Sequence, residues 1–212
     1  MTEYLPDDNK AYKDKEYWDA RFGSEESYDW LARYENVAPL LDRFVDRSSR
    51  ILMYNAGFHN ITNIDFSKVV IERMRAKHSE DMPEMKWIEA DMTKLLDTFA
   101  PGEFDVVIDK AAMDALMCDE GDVWSPSEAV IEQAAAMCSG ITAALVPTGL
   151  FIQISFAQPH FRKRFLLGEG EQGTESARYG WNYSVHPIDV GLGYFFYVLQ
   201  KREQGSTCDR EE

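Results

Sequence analysis

Three β-type runs in this sequence end in a carboxylate: NITNID in Asp65, MKWIEAD in Asp91, and FDVVIDK in Asp109 followed by Lys110. In an open α/β sheet, ligands bind outside the carboxyl ends of the strands, so these positions are where chemistry is expected. A carboxylate after the second strand of such a unit has two oxygens for the two adjacent hydroxyls of a ribose, and Asp65 has that position. Asp91, after the next strand, can accept from the exocyclic amine of an adenine while Phe66 and Met92 pack on the ring faces. Any one of these residues alone reads more readily as a turn-forming Asp at a strand end. Three in succession favour a nucleoside-type cofactor. Trp18, Phe22 and Trp30 offer an aromatic wall for a flat or cationic ligand, or a hydrophobic lid on the core.

These residues need a scaffold that brings strand ends together. Short β-type runs alternate with helical patterns: RILM (50–53), NITNID (60–65), a helix over 67–78, MKWIEAD (85–91), FDVVIDK (104–110), a helix over 127–145, and GLFIQISF (149–156). Ser67 and Ser127, the latter preceded by Pro126, are suited to cap the two helices. Earlier, Leu31, Tyr34, Val37, Leu40, Leu41 and Phe44 recur at helical spacing and predict a helix over 29–45. WNYSVHPID and YFFYVLQKR read as an antiparallel pair. The predicted fold class is α/β, a Rossmann-like parallel sheet with helices on both faces, closed by that pair. Residues 1–15 are predicted to be a flexible segment, 16–201 a single domain, and 202–212 a polar tail.

With 212 residues, 45% hydrophobic and 28% charged, the chain has the composition of a globular protein with one substantial core. Lys and Arg number 22 against 37 Asp and Glu, a formal charge of -15. That field repels nucleic acid and anionic membranes and suits a basic protein partner. The three cysteines lack CxxC spacing and the four histidines never fall at i, i+4, so no metal site is expected. No apolar stretch approaches the about 18 residues of a membrane span. The N-terminus is unlike a leader, and a cytoplasmic monomer is expected.

Taken together, EYWDARF followed by YDW, then NIDFS, EADMTKL, VVIDKAAMDAL and ISFAQPHFRKRF resemble the S-adenosylmethionine-dependent, seven-stranded methyltransferases that act on lysines of translation elongation factor 1-alpha. The resemblance runs from about Glu16 to Lys201. It implies S-adenosylmethionine as cofactor, with Trp18, Phe22 and Trp30 lining it from the N-terminal segment. It further implies Asp65 at the ribose, Phe66 beside the adenine, Asp91 and Met92 flanking the base, and Lys110 by the methionine end. The implied partner is a basic protein such as elongation factor 1-alpha, and Asp109 and Asp114 are candidates to face its lysine amine in catalysis, although Asp114 could equally cap a helix. The family's DKGTLDA becomes DKAAMDA, with Ala111 in place of Gly.

One departure bears on function. Family members follow the first strand with a glycine-rich loop and a helix whose amides cup the methionine carboxylate. Here only YNAGFH separates RILM from NITNID, whereas a parallel crossover takes about a dozen residues or more. The first crossover is therefore truncated. Either one crossover is missing from an otherwise intact fold, or the first strand is displaced from the sheet centre. In both cases 53–58 is expected to be the poorest-packed part of the sheet. The truncation leaves two functions open: a methyltransferase weakened in cofactor affinity, or a catalytically defective module on the same scaffold.

Overall fold

The computed structural model describes residues 6–24, 31–52, 60–118, 125–168, 173, 177–191 and 193–202. Strands β1 (Ile51–Leu52), β2 (Ile61–Asp65), β3 (Lys86–Glu89), β4 (Phe104–Lys110), β5 (Leu145–Ser155), β6 (Trp181–Ile188) and β7 (Tyr194–Lys201) form one sheet in the order β3-β2-β1-β4-β5-β7-β6. The first five run parallel, and β7 pairs antiparallel with both β5 and β6. Asp65, Asp91 and Asp109 thus fall along one edge, as the strand pattern predicted.

The helices are α1 (Lys15–Ser24), α2 (Tyr34–Phe44), α3 (Lys68–Lys77), α4 (Ala112–Leu116), α5 (Glu128–Ala144) and α6 (Pro159–Leu167). Alternation in the central strands feeds two cores. Val106 and Ile108 of β4 and Ile152 and Ile154 of β5 face the side covered by α1, α2 and α3. Val107 and Phe151 face Met113, Met137, Ile141 and Leu166 from α4, α5 and α6. Strands buried on both faces read as nearly continuous apolar runs, which is why FDVVIDK and LFIQIS carry so few polar residues. Ser67 and Ser127 cap α3 and α5, accepting from the N–H groups of Val70 and Val130, each at 3.4 Å.

Several boundaries differ from the sequence reading. The helix expected over 29–45 begins at Tyr34, with 25–30 outside the described residues. Strand β5 starts at Leu145, directly after α5, rather than at 149. Within the segment expected to be flexible, 9–13 form a 3-10 helix capped by Asp8, whose carboxylate accepts from Lys10 N–H at 3.0 Å.

The first strand is not displaced. Strand β1 lies between β2 and β4, with Leu52 paired in parallel with Thr62 and with Val107. Neighbouring strands lie about 5 Å apart, so β1 and β2 stay side by side although few residues separate them in the sequence. The expectation of poor packing at 53–58 lies outside the described residues.

Candidate active site at the carboxyl edge of the sheet

Asp65 closes β2 where the chain turns into α3. Its Oδ1 accepts from the Ser67 N–H at 2.7 Å, and its other oxygen takes no hydrogen bond among the described residues. Burial pushes its carboxyl up to about 6; the Ser67 N–H bond and Lys15 act against that shift, and the charge of Asp19 adds to it. A half-buried carboxylate with one donor is poorly solvated and has acceptor capacity to spare.

Helix α1 packs beside this carboxylate. Ser67 Oγ donates to Asp19, the Arg73 guanidinium donates to the Phe22 carbonyl, and Lys15 Nζ bonds Glu89 at 2.7 Å. Helix α1 is thereby tied to the ends of β2 and β3 and to α3. Trp18 is half-buried, stacks on Phe22 with centroids 5.3 Å apart, and donates from Nε1 to the Tyr12 carbonyl at 2.7 Å. Phe22 itself is buried in the core, so it backs Trp18 rather than offering a free face. Trp30 lies outside the described residues.

Asp91 stands next to Asp65, because the Ala90 N–H donates to the Asp65 carbonyl at 3.0 Å. It is exposed and caps a 3-10 helix (Met92–Asp97), Oδ1 accepting from the Thr93 N–H at 2.8 Å and from Thr93 Oγ1 at 2.7 Å. Despite some desolvation, these bonds and Lys94 hold its carboxyl below the usual range. Phe66 and Met92 are half-buried beside the two carboxylates.

The carboxylates at the end of β4 have a different character. Asp109 is buried and bonds the N–H groups of Ala112 and Met113 at 2.8 and 3.3 Å and the Gln153 amide at 2.8 Å. Burial raises its carboxyl to about 6, against the Gln153 bond, and the charge of Asp114 raises it further. Asp114 is buried too; it pairs with the Arg162 guanidinium and accepts from Ser155 Oγ at 2.6 Å. Lys110 is half-buried at the strand end. Between them Ala111 has φ 69°, a left-handed conformation imposed where Asp109 clasps the start of α4. The glycine that the resemblance places there suits that conformation better.

Sequence reasoning missed Asp19, Ser155 and Arg162. Arg162 belongs to a basic run, FRKRF, that reads as surface; its 3% side-chain exposure follows from folding, not spacing.

The strand order β3-β2-β1-β4-β5-β7-β6 with an acidic carboxyl edge sets the frame for comparison with known proteins. A family described as "Methyltransferase domain" matches residues 47–139. EEF1A lysine methyltransferase 4 of Bos taurus is 31% identical over 219 positions, spanning 96% of this chain and 82% of that protein. The chain belongs to the S-adenosylmethionine-dependent methyltransferase family. The eEF1A lysine and N-terminal methyltransferase of Homo sapiens is 26% identical over 87% of this chain, which matches only 26% of that longer protein. Among solved structures, the N-methyltransferase NodS from Bradyrhizobium japonicum, in complex with S-adenosyl-L-homocysteine, shares the methyltransferase fold with a TM-score of 0.58 at 11% identity, over 92% of this chain and 100% of NodS.

Proposed function

We propose that this methyltransferase modifies a lysine of a basic protein, translation elongation factor 1-alpha, using S-adenosylmethionine. The observation that carries the reading is the 31% identity to a lysine methyltransferase acting on that factor, over 96% of the chain. When bound, the cofactor supplies a sulfonium methyl group that passes to the amine nitrogen while sulfur keeps the electrons of the broken bond.

The residues fit the adenosine half of that cofactor. Asp65 has an oxygen without a donor and accepts the ribose hydroxyls, in bonds of the stronger, charge-assisted kind. Asp91 accepts from the adenine amine, Phe66 and Met92 flank the ring, and Trp18, backed by Phe22, closes over it. Trp30 joins that wall by sequence alone. Lys110 lies by the methionine end. Asp109 and Asp114 are positioning residues in this reading: every bond they make fixes α4, β5 or α6, and neither is exposed enough to meet an amine. The amine must reach the site neutral and aligned, and the charge of -15 draws a basic substrate to it.

No helix among the described residues is long and apolar enough to cross a membrane. The reading extends to a cytoplasmic monomer, since a translation factor works in the cytosol and like charge disfavours self-association.

Calorimetry with S-adenosylhomocysteine, followed by mass spectrometry of elongation factor 1-alpha incubated with enzyme and cofactor, tests it. Binding heat and a lysine heavier by methyl are expected. Absence of both overturns the proposal and leaves a scaffold without activity.

A further inference from the structure

Among the described residues two large apolar side chains are strongly exposed, Leu96 at 48% and Phe156 at 56%. Single exposed apolar residues are ordinary, so position decides whether one matters. Phe156 follows the last residue of β5. Strand β5 is the neighbour of β4, with Lys110 paired to Ile154 and the Ala111 N–H donating to the Ile154 carbonyl at 3.1 Å. Phe156 therefore flanks the Lys110–Ala111 junction on the side away from Asp65.

Both of its chain neighbours are pinned to buried groups. Ser155 Oγ donates to Asp114 at 2.6 Å and accepts from the Ala157 N–H at 2.9 Å, while Tyr197, a buried residue, donates its hydroxyl to the Ala157 carbonyl. Arg162 donates to the same oxygen of Asp114 as Ser155 does. The buried ion pair thus fixes a turn whose middle residue is an aromatic ring left in water. Such a ring is already held in place for a contact and loses little freedom on making it.

Strand spacing tells what the contact is. Neighbouring strands lie about 4.8 Å apart, so β4 is about 10 Å from β2, and β5 about 5 Å beyond β4 in the same direction. Under the proposed function the adenosine half would be held at β2 and β3 and the methionine end at β4, which leaves the β5 side of the carboxyl edge open to an acceptor amine.

We propose that Phe156 is the acceptor-side docking residue: its ring receives the aliphatic stem of the substrate's target lysine and steadies the neighbouring positive charge of a basic protein segment. This rests on the methyl transfer proposed above. A lysine stem packs on apolar surface while its cationic end favours an aromatic face, which suits the acidic character of the chain.

Steady-state methyl transfer from S-adenosylmethionine to purified elongation factor 1-alpha tests the assignment, with S-adenosylhomocysteine calorimetry on the same full-length variants. Phe156→Ala is expected to raise KM for the protein substrate about tenfold, with kcat within about threefold and unchanged cofactor-product affinity. Phe156→Tyr restores KM and Phe156→Leu restores it in part, because only the former keeps an aromatic face. A parental KM in Phe156→Ala overturns the role, as does an equal loss of S-adenosylhomocysteine affinity, which would move Phe156 to the cofactor side. A parent that binds no S-adenosylhomocysteine, or that binds it and leaves the factor unmethylated, overturns the proposed function first and this role with it.

Discussion

Asp19 and Asp65 are joined through Ser67, whose hydroxyl donates to Asp19 in α1 while its backbone N–H donates to Asp65 at the end of β2. Two carboxylates are thereby held close in a half-buried place, and burial leads the rise of the Asp65 carboxyl to about 6. The arrangement costs stability at neutral pH and, under the proposed function, keeps an acceptor for the ribose hydroxyls. Asp65→Asn keeps an oxygen for the Ser67 N–H and removes the charge. It is expected to stabilise the fold at pH 7 by about 1–3 kcal/mol, the range set by a shift of roughly two pH units. The same variant loses S-adenosylhomocysteine affinity, because a charged acceptor is replaced by a neutral one. Urea unfolding and calorimetry on one preparation check both; a variant less stable and equally tight would refute the pair.

The pH dependence carries the same sign. A carboxyl whose folded pKa lies above its unfolded one binds its proton more tightly in the fold. Its contribution is therefore full below about pH 4 and is lost as pH rises through 6. Between pH 5 and 7 Asp65 alone is expected to take away about 1 kcal/mol, and Asp109, also raised to about 6, acts in the same direction. The parent's stability should fall over this interval and that of Asp65→Asn should fall less. Cofactor-product binding should do the opposite and tighten as Asp65 ionises. A parent whose unfolding free energy is flat from pH 5 to 7 contradicts the shift.

Arg162 and Asp114 form an ion pair with 3% side-chain exposure on each partner. Among the described residues Asp114 Oδ2 and the Nε and Nη1 of Arg162 have no hydrogen-bond partner, so the pair is incompletely satisfied there. Breaking it from one side leaves a buried charge, and Arg162→Met is expected to cost about 3–5 kcal/mol. Adding Asp114→Asn to Arg162→Met should recover much of the loss, since the Asn oxygen still accepts from Ser155. Chemical denaturation of the four members of this cycle gives the coupling; additive losses would show that the two groups do not act as a pair.

What the sequence reveals and conceals follows from the range of the interactions involved. Strand ends were legible because Asp65, Asp91 and Asp109 each close a β-type run, and the sheet's sidedness was legible from β4 and β5. Helix α1 was not, because its buried residues, Arg21 and Phe22, form no apolar stripe, and its place depends on Asp19 and Lys15 reaching Ser67 and Glu89. The burial of Asp109 and Asp114 was hidden for the same reason: Gln153, Ser155 and Arg162 lie roughly 40 residues downstream. The retained place of β1 was concealed too, since connection length alone does not tell how short the strand is.

Ala111 offers a local test of the family comparison. Its φ of 69° costs a residue with a Cβ about 1–2 kcal/mol, whereas glycine there gives back about 0.4–1 kcal/mol through a more flexible unfolded chain. Ala111→Gly is expected to stabilise the protein by about 0.5–1 kcal/mol, read as a higher urea midpoint with an unchanged slope. A lower midpoint would mean that the left-handed turn is not strained.

The short connection between β1 and β2 is where function and fold part. The sheet keeps β1 beside β2, whereas the sequence of the connection lacks the glycine-rich pattern of a carboxylate-binding turn. A cofactor with a methionine carboxylate needs backbone N–H groups and the positive end of a helix. The glycine-rich loop that supplies them in family members is absent from the sequence between RILM and NITNID. Each charge-assisted bond to that carboxylate is worth about 1.5–3 kcal/mol, so regaining even one should strengthen binding tenfold or more. Inserting a glycine-rich loop and a helix of family length between Met53 and Tyr54 is therefore expected to tighten S-adenosylhomocysteine binding by at least about tenfold in calorimetry and to raise methyl transfer to elongation factor 1-alpha. Equal affinity in the parent and the extended chain would mean that another segment of this protein already holds the carboxylate.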